Sequence, residues 1–450
     1  MERIDKCFVR EEYKLWMYKE YFLPSKRFLL TVHKLTATHL KLLDTFSDKY
    51  VKKWAGLPVS ATNAIIHLKE GLDCKSISEL YMECHKVSHT RTRLKGDANI
   101  NQVLDSIVQR EAQLSQTSGR LHTTTVCEVT HQQVLHLNTV SGEVPTYTGD
   151  QASRLQATFN HQVQEGVKKV VRAEQQEVLV EHVRSLTLQG NTLALAAAEG
   201  EDMVWKSYMY NLKKGTLKFL LNATIDTLPT LANLKRWKKS PTDLCKLCRC
   251  RQTTSHILSS CSTALNSGRY TWRHDTILSY ILSCIDTSKA DLYSDLPGHQ
   301  AAGGGTIPPT ITITALRPDV VLVEREAKRL HLFELTMPGE QYIDERNKQK
   351  SDKYAHFATD CAPYSCTVTC FEVSNKGFIS TRNHETLKAL HKYTKPDIKL
   401  KTFKQNISAL ALYTSYHIYL CRSDPLFTIP PFLPPPFSDG SSARTRRAGQ

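Results

Sequence analysis

The sequence predicts an α+β protein of several domains, with a helical N-terminal half and an α/β core towards its C-terminal end. Three observations support this prediction. The chain has 450 residues, more than one hydrophobic core usually organises. Apolar residues recur at helical spacing through much of the first half. In the second half, two short β-like runs, residues 320–323 and 330–335, are separated by a charged turn.

The composition favours a polyanionic partner. Basic residues exceed acidic ones by a formal net charge of +15, and such an excess attracts phosphate backbones. An anionic membrane surface would also match the charge. However, no amphipathic basic helix stands out, and no apolar run approaches the roughly 18 residues of a membrane span. We therefore expect a nucleic acid as the partner, and no membrane.

The cysteines indicate the compartment. The first stretch of the chain, MERIDKCFVREEYK, is too charged for a secretory signal peptide. Without such a signal, thirteen cysteines are expected to serve as free thiols and metal ligands and not as disulfides. This places the chain inside the cell, and in the nucleus if DNA is its substrate.

Residues 1–113 are predicted to be mostly helical. An apolar set recurs there at roughly helical spacing, at Phe28, Leu29, Val32, Leu35, Leu40, Leu42 and Leu43. Gly56 and Pro58 mark a helix stop. Residues 114–204 are largely rich in glutamine, threonine and histidine, and a valine pattern over residues 162–188 predicts a helical connecting region.

Residues 205–265 are predicted to form a basic linker followed by a small metal site. Aromatic residues alternate with lysines at its start, where Trp205 and Phe219 are expected to belong to the core. A basic cluster follows at Lys235, Arg236, Lys238 and Lys239. Its charge and the neighbouring tryptophan favour contact with phosphates and unpaired bases.

A cysteine–histidine cluster closes this region. Cys245, Cys248, His256 and Cys261 follow one another closely, and three thiolates with one imidazole complete a tetrahedral zinc shell. Cys250 is an alternative to Cys248 as a ligand. Four protein ligands leave no open position, so the site indicates structural zinc and not catalysis.

The two β-like runs carry acids that are expected to be buried. Asp319 stands at the head of the first run, and Glu334 lies among apolar residues late in the second. A carboxylate there is costly to bury unless it is paired or holds a cation. An antiparallel hairpin would bring the two acids side by side. Two carboxylates at a sheet edge suit Mg²⁺, which takes one or two carboxylates together with waters and a phosphate.

The surrounding pattern predicts an α/β core over residues 266–422. Residues 274–285 form an amphipathic helical pattern, and residues 310–314 are predicted as a strand after a loop rich in glycine and proline. A later strand over residues 365–373, a turn and a helix complete a small mixed sheet flanked by helices. Residues 423–450, rich in proline, serine and arginine, are predicted to be disordered.

This layout resembles the PD-(D/E)xK nuclease superfamily, and within it the restriction-like branch at the C-terminal end of site-specific non-LTR retrotransposon proteins. The segments that carry the resemblance are Arg317-Pro318-Asp319, Glu334-Leu335-Thr336-Met337-Pro338 and Lys353-Tyr354. Thr336 stands where the superfamily pattern has its lysine. In this branch the lysine lies on the following helix, so Lys350 and Lys353 are the candidates. The resemblance implies a restriction-endonuclease-like fold.

Two upstream stretches resemble parts of the same retrotransposon proteins. Residues 53–64 and the residues shortly after them are similar to the thumb that follows the polymerase palm. The cysteine–histidine cluster and its flanks are similar to the CCHC zinc knuckle that precedes the nuclease. A reverse transcriptase palm needs an aromatic-x-Asp-Asp turn for its two metal ions, and the sequence has no such turn. We therefore expect a fragment without polymerase activity.

The resemblance implies a Mg²⁺-dependent endonuclease that nicks a DNA target, with the RNA of the element as a second partner through the basic linker and the knuckle. Asp319 and Glu334 would hold Mg²⁺ and a lysine would offset charge at phosphorus. Arg317 and Tyr354 would contact DNA, although Arg317 could equally pair only with Asp319. The alternative is a nucleic-acid-binding remnant or domesticated module without catalysis.

Helical spacing distinguishes the two candidate lysines. Lys350, Tyr354 and Phe357 fall on one stripe with Ile343. If that stripe packs on the sheet that bears the acids, Lys350 lies inside the site. Lys353 would then lie on the flank of the stripe, nearer solvent, where it grips the DNA backbone.

Overall fold

The computed structural model of the chain describes residues 1–94, 97–118, 152–199 and 203–438. In that part the chain combines many helices with one four-stranded mixed sheet, which confirms the α+β class. The chain forms two compact units, Met1–Leu186 and Thr187–Gln450. No described helix is both long and apolar enough to cross a membrane.

The N-terminal unit is helical. Its helices α1 to α8 are, in chain order, Glu2–Asp5, Glu11–Met17, Leu23–Val32, Ala37–Ala55, Ala64–His67, Ile77–Leu94, Ala98–Ser118 and Ala152–Ser185. Helix α4 is capped at its N-terminus by Thr36, whose hydroxyl accepts the N–H of His39. Gly56, in a left-handed conformation, caps its C-terminus. The predicted helix stop is thus confirmed.

Helix α8 packs on α6 within this unit. Val163, Val167 and Val171, spaced four apart, are buried against apolar side chains that include Met82 and Val87. The predicted thumb-like and connecting segments therefore share one core. The predicted apolar set of the first helices is mostly exposed: of its members, Leu40 is buried, whereas Phe28, Leu29, Val32, Leu42 and Leu43 lie at the surface.

The C-terminal unit surrounds the sheet with helices. Helices α9 to α17 are, in chain order, Asn191–Glu199, Thr216–Thr224, Leu231–Arg236, Ser262–Asn266, Arg269–Cys284, Ile343–Tyr354, Phe357–Asp360, Asn383–His391 and Leu400–Leu420. Short 3-10 helices span Val204–Asn211 and Glu340–Tyr342, and a π-helix spans His256–Ser260. Trp205 and Phe219 are buried, so the prediction that they are core residues is confirmed.

The sheet has the strand order β1-β2-β3-β4, with β1 at Asp291–Ser294, β2 at Val320–Glu324, β3 at Arg329–Thr336 and β4 at Ser365–Glu372. The first three strands are antiparallel, and β3 pairs with β4 in parallel. A parallel pair needs a crossover, and α14 (Ile343–Tyr354) provides it. Tyr354 and Phe357 pack with Val321 and Leu332 in the core of this layer.

One predicted strand of this unit is absent, and one observed strand was not predicted. Residues 310–314 form no strand, because the chain turns at the start of this segment, where the N–H of Ile311 donates to the carbonyl of Pro308 at 2.9 Å. The unpredicted strand is β1, which lies at one edge of the sheet and is a four-residue segment too short to be recognised from its own pattern. The predicted strand over residues 365–373 matches β4.

The proline-rich segment 423–438 packs in a defined way, which contradicts the predicted disorder. The side-chain amide of the buried Asn406 donates to the carbonyl of Phe437 at 3.0 Å, and the N–H of Phe437 donates back at 2.9 Å. The indole N–H of Trp272 donates to a carbonyl of the same segment at 3.4 Å. Proline limits the freedom of the unfolded segment, so few contacts suffice to hold it. Residues 439–450 lie outside the described residues.

Candidate active site

The strands β2 and β3 bring the two predicted acids together. Val320 faces Phe333 in the antiparallel register, so the next pair outward is Asp319 and Glu334. The N–H of Leu335 donates to Oδ2 of Asp319 at 2.7 Å, and the N–H of Asp319 donates to Oε2 of Glu334 at 3.3 Å. Both carboxylates are buried. The side-by-side placement expected from a hairpin is therefore present.

Helix α14 supplies the partners of Glu334. The Nζ of Lys350 donates to Oε1 of Glu334 and forms an ion pair with it, and the Nζ of Lys353 lies 4.0 Å from the same oxygen. The hydroxyl of Tyr354 donates to Oε2 at 3.0 Å. Burial raises the pKa of Tyr354, and the adjacent Glu334 carboxylate raises it further, so this hydroxyl keeps its proton.

Lys350 and Lys353 occupy the places that helical spacing predicts. Ile343, Tyr354 and Phe357 are buried along one stripe of the helical segment. The Lys350 side chain is 32% exposed and contacts the acid directly. The Lys353 side chain is 41% exposed and lies over the ring of Tyr354.

Helix α13 (Arg269–Cys284) supplies a partner for Asp319 that the sequence did not indicate. The Nε2 of His274 lies 3.4 Å from Oδ2 of Asp319, and its Nδ1 lies 2.9 Å from Asp275. Burial lowers the pKa of His274, but the two carboxylates outweigh burial and raise it to about 10. His274 is thus a cation, and each of the two central acids has a positive neighbour from a different helix.

The acids lie on the wall of a cleft of about 750 Å³. Its basic lining residues are Arg273, Arg317, Arg346, Lys350 and Lys353. Serine hydroxyls from the segment 255–260 and backbone of residues 335–339 complete much of the remaining wall. An open cleft with paired acids and excess positive charge is suited to a phosphate-bearing chain.

Two predicted DNA contacts have other partners. Arg317 forms an ion pair with Asp295 at 2.5 Å and not with Asp319, so the alternative pairing is wrong, although Arg317 does line the cleft. Tyr354 is only 2% exposed. Its prediction as a DNA contact is therefore wrong, because its ring belongs to the core and its hydroxyl holds Glu334.

The basic cluster at the end of α11 (Leu231–Arg236) and just beyond it is exposed, at Lys235, Arg236, Lys238 and Lys239. Lys235 forms an ion pair with Asp243 at 2.8 Å. None of these four residues lines the cleft. Any contact they make with a nucleic acid is therefore made outside it.

The cysteine–histidine cluster is gathered as predicted. The ligand atoms of Cys245, Cys248, His256 and Cys261 all lie within 4.8 Å of one another, and Sγ of Cys248 is 3.3 Å from Nε2 of His256. Cys250 is exposed and stands outside this group, so Cys248 is the better candidate ligand. Three thiols and an imidazole at this separation could hold a metal ion such as zinc.

The electrostatics of the cluster differ between its thiols, because burial raises the pKa of Cys261 to about 11. Burial raises the pKa of Cys248, but the backbone N–H of Cys250 and the neighbouring thiols outweigh it and hold the pKa below its ordinary value. Burial lowers the pKa of His256, which keeps the imidazole neutral. Thiolate and neutral imidazole are the forms that bind zinc.

This segment, residues 245–261, which we call the knuckle, is joined to the cleft through α13. The hydroxyl of Tyr270 donates to the carbonyls of His256 and Ile257, at 3.2 and 3.0 Å, and accepts the N–H of Cys261 at 3.1 Å. Arg273 donates to the carbonyl of Leu258 at 2.8 Å. The helix predicted from the sequence began at His274. Tyr270 and Arg273 precede that residue, so their contacts with the knuckle were not predicted.

No protein-family model matches the chain, and no curated protein matches it either. The site must therefore be judged on its own chemistry. Asp319 and Glu334 offer hard oxygen donors, and Oδ1 of Asp319 accepts no hydrogen bond from any described residue. A divalent cation that prefers oxygen fits this donor set.

Proposed function

We propose that the C-terminal unit is a divalent-cation-dependent endonuclease that nicks DNA. One observation carries this proposal: two buried carboxylates, Asp319 and Glu334, face each other in an open cleft and share it with the ammonium of Lys350. Asp319 and Glu334 would hold the cation, for which Mg²⁺ is the natural choice given all-oxygen donors. DNA as the substrate implies that the protein acts in the nucleus.

Each side chain has a part in that reaction. A bound cation supplies polarisation of the scissile phosphate and neutralises developing charge. Tyr354 fixes the orientation of Glu334 through its 3.0 Å hydrogen bond. Lys350, held at the same carboxylate, places a positive charge where negative charge grows in the transition state. Lys353, more exposed, grips a neighbouring phosphate.

We assign the knuckle a structural zinc ion. Its four protein ligands leave no place for a substrate or water on the metal. Its contribution is to hold the wall that carries Ser255, Ser259 and Ser260 against the cleft. The exposed basic cluster beside the knuckle would serve a second stretch of nucleic acid, DNA or RNA, away from the acids.

Nicking of supercoiled plasmid tests this function. The purified full chain with Mg²⁺ should convert supercoiled to relaxed plasmid, whereas Asp319→Asn and Glu334→Gln should each lose at least about a thousandfold in rate, as removal of a catalytic group does. Both variants should still bind DNA. Glu324→Gln is the matched control, because Glu324 lies on the same hairpin at its other end.

The outcomes separate the nuclease from a binding module. Equal nicking by Asp319→Asn and wild type would assign the activity to another site or to a contaminant. If wild type and every variant bind DNA but none of them nicks it, the unit is a nucleic-acid-binding module without catalysis.

A further inference from the structure

Arg273 on α13 is a buried cation whose charge nothing described in the protein neutralises. The residue is 2% exposed, yet it lines the cleft that contains Asp319 and Glu334. It forms no ion pair with a carboxylate among the described residues. This is unusual, because a buried charge is costly unless it is paired or fully hydrogen-bonded.

The hydrogen bonds of Arg273 are all to neutral groups and do not satisfy it. Its Nη1 donates to the carbonyl of Leu258 at 2.8 Å and to the hydroxyl of Ser415 at 3.2 Å. Its Nη2 has one long bond, 3.5 Å to the carbonyl of Met337, and its Nε has no partner in the described part of the chain. The ring of Tyr270 lies under the guanidinium at 5.4 Å.

Arg269, one helical turn earlier on α13, gives the contrast. It is equally buried, at 1% exposed, and has no carboxylate partner among the described residues either. However, its Nε donates to the hydroxyl of Ser267 at 3.0 Å, and its Nη1 and Nη2 donate to the backbone carbonyls of Cys421 and Asp424 at 2.6 and 2.5 Å. Every nitrogen of Arg269 is therefore occupied, and Arg269 does not line the cleft. Arg269 is a structural residue by these measures.

The location of Arg273 indicates which anion would neutralise its charge. Arg273 lines the same cleft as Asp319 and Glu334, and its Nη2 lies 3.5 Å from the carbonyl of Met337, just after the strand that carries Glu334. Nη2, with its single long bond, is the nitrogen that an incoming acceptor can engage. A planar guanidinium binds phosphate oxygens with charge-assisted hydrogen bonds.

We propose that Arg273 binds a phosphate of the nucleic-acid strand beside the one that is cut, and so positions that strand against Asp319 and Glu334. This inference rests on the proposed function. It adds a phosphate subsite whose protein side is built from Arg273, the carbonyl of Leu258 and the hydroxyl of Ser415 that hold its Nη1, and the supporting ring of Tyr270.

The salt dependence of DNA binding tests the subsite. Binding of a labelled duplex to the full chain is measured against salt, without added Mg²⁺ and without chelator, so that the knuckle keeps its metal. Arg273→Gln should bind about tenfold more weakly and lower the slope of log K against log salt by about one. Arg269→Gln, the matched control, should leave that slope unchanged. Circular dichroism and bound zinc verify that each variant is folded.

Arg273→Lys keeps the experiment decisive if glutamine prevents folding. Lysine retains the charge and loses the planar fork, so it should keep the wild-type salt slope while binding more weakly. A slope equal to that of wild type in Arg273→Gln, or a slope changed equally by the glutamine variants of both arginines, would reduce Arg273 to a structural residue and overturn the proposal.

Inorganic phosphate separates failure of the subsite from failure of the proposed function. At constant ionic strength, phosphate should raise the melting temperature of wild type and Arg269→Gln, and the increment should be lost in Arg273→Gln. If the chain neither binds nor nicks DNA but shows this pattern, the subsite stands and the nucleic-acid substrate is wrong. If the chain nicks DNA but Arg273→Gln keeps both the increment and the slope, the nuclease stands and the subsite is wrong.

Discussion

Replacing Gly377 by alanine should destabilise the C-terminal unit through one crowded contact. Gly377 lies in the turn after β4 with a φ of +80°. A β-carbon at this position would lie 2.5 Å from the backbone carbonyl oxygen of Ser408 and 3.1 Å from its hydroxyl. Ser408 belongs to the buried helix α17 (Leu400–Leu420), and its hydroxyl donates to the carbonyl of Gly377 at 2.6 Å.

The expected loss in free energy of unfolding has three parts. A left-handed backbone costs a residue with a β-carbon about 1–2 kcal/mol. Alanine recovers about 0.4–1 kcal/mol, because it restricts the unfolded chain more than glycine does. Crowding against the carbonyl of Ser408, which belongs to backbone and cannot rotate away, adds about 1–3 kcal/mol. The sum is a destabilisation of about 1–4.5 kcal/mol.

Gly298→Ala is the control that isolates the crowded contact. Its φ of +87° is similar, and a β-carbon there would meet nothing within 4 Å. Only the first two parts then apply, so the loss should be about 0–1.5 kcal/mol. Native-state hydrogen exchange of the buried amides of α17 measures both variants within the unit concerned. Equal losses for the two variants would refute the reasoning, since the contact with Ser408 is what distinguishes them.

Three further predictions concern the metal cluster, the lysines and one histidine. Cys261→Ser should reduce bound zinc per chain and loosen the knuckle, and metal analysis of protein purified without chelator that finds no zinc in wild type would contradict it. Lys350→Ala should lose plasmid nicking at every salt concentration and Lys353→Ala chiefly as salt rises; the reverse pattern would exchange their roles. Burial lowers the pKa of His67, but Asp48 outweighs it and raises the pKa above its ordinary value. The charged pair therefore stabilises the N-terminal unit most below about pH 6.5. The stability advantage of wild type over His67→Gln should shrink as pH rises through the folded-state pKa; an advantage that grows with pH in denaturant titrations would contradict this sign.

The parts of the site that the sequence predicted depend on local geometry. Asp319 and Glu334 are joined by a short hairpin, so alternation and turn length alone set their register. Lys350 follows from a helical stripe that extends only seven residues on either side of it, from Ile343 to Phe357, and the knuckle follows from the spacing of its ligands. In each case the residues that meet are close in sequence.

The parts that the sequence did not predict depend on distant packing. His274 meets Asp319 across 45 positions of sequence, and Arg273 meets Ser415 across 142. The strand β1 takes its partner from β2 and has little pattern of its own. The segment 423–438 is held by hydrogen bonds with Asn406, Trp272 and Arg269, which composition does not reveal.

The charge balance of the cleft, more than the burial of its acids, favours the proposed nuclease over an ion-paired hairpin. Glu334 is compensated by Lys350 and Asp319 by His274, so the protein itself accounts for two acids buried at a strand end. If the cleft contained no charge beyond these pairs, a structural role of the two acids would be enough to explain their burial. Arg273 adds a buried positive charge, and Lys353 an exposed one beside the same acid. A neutral ligand would leave the buried charge of Arg273 without a counter-charge, which is costly. A phosphate chain would supply that counter-charge. The test of Arg273 therefore bears on the substrate as well as on the residue.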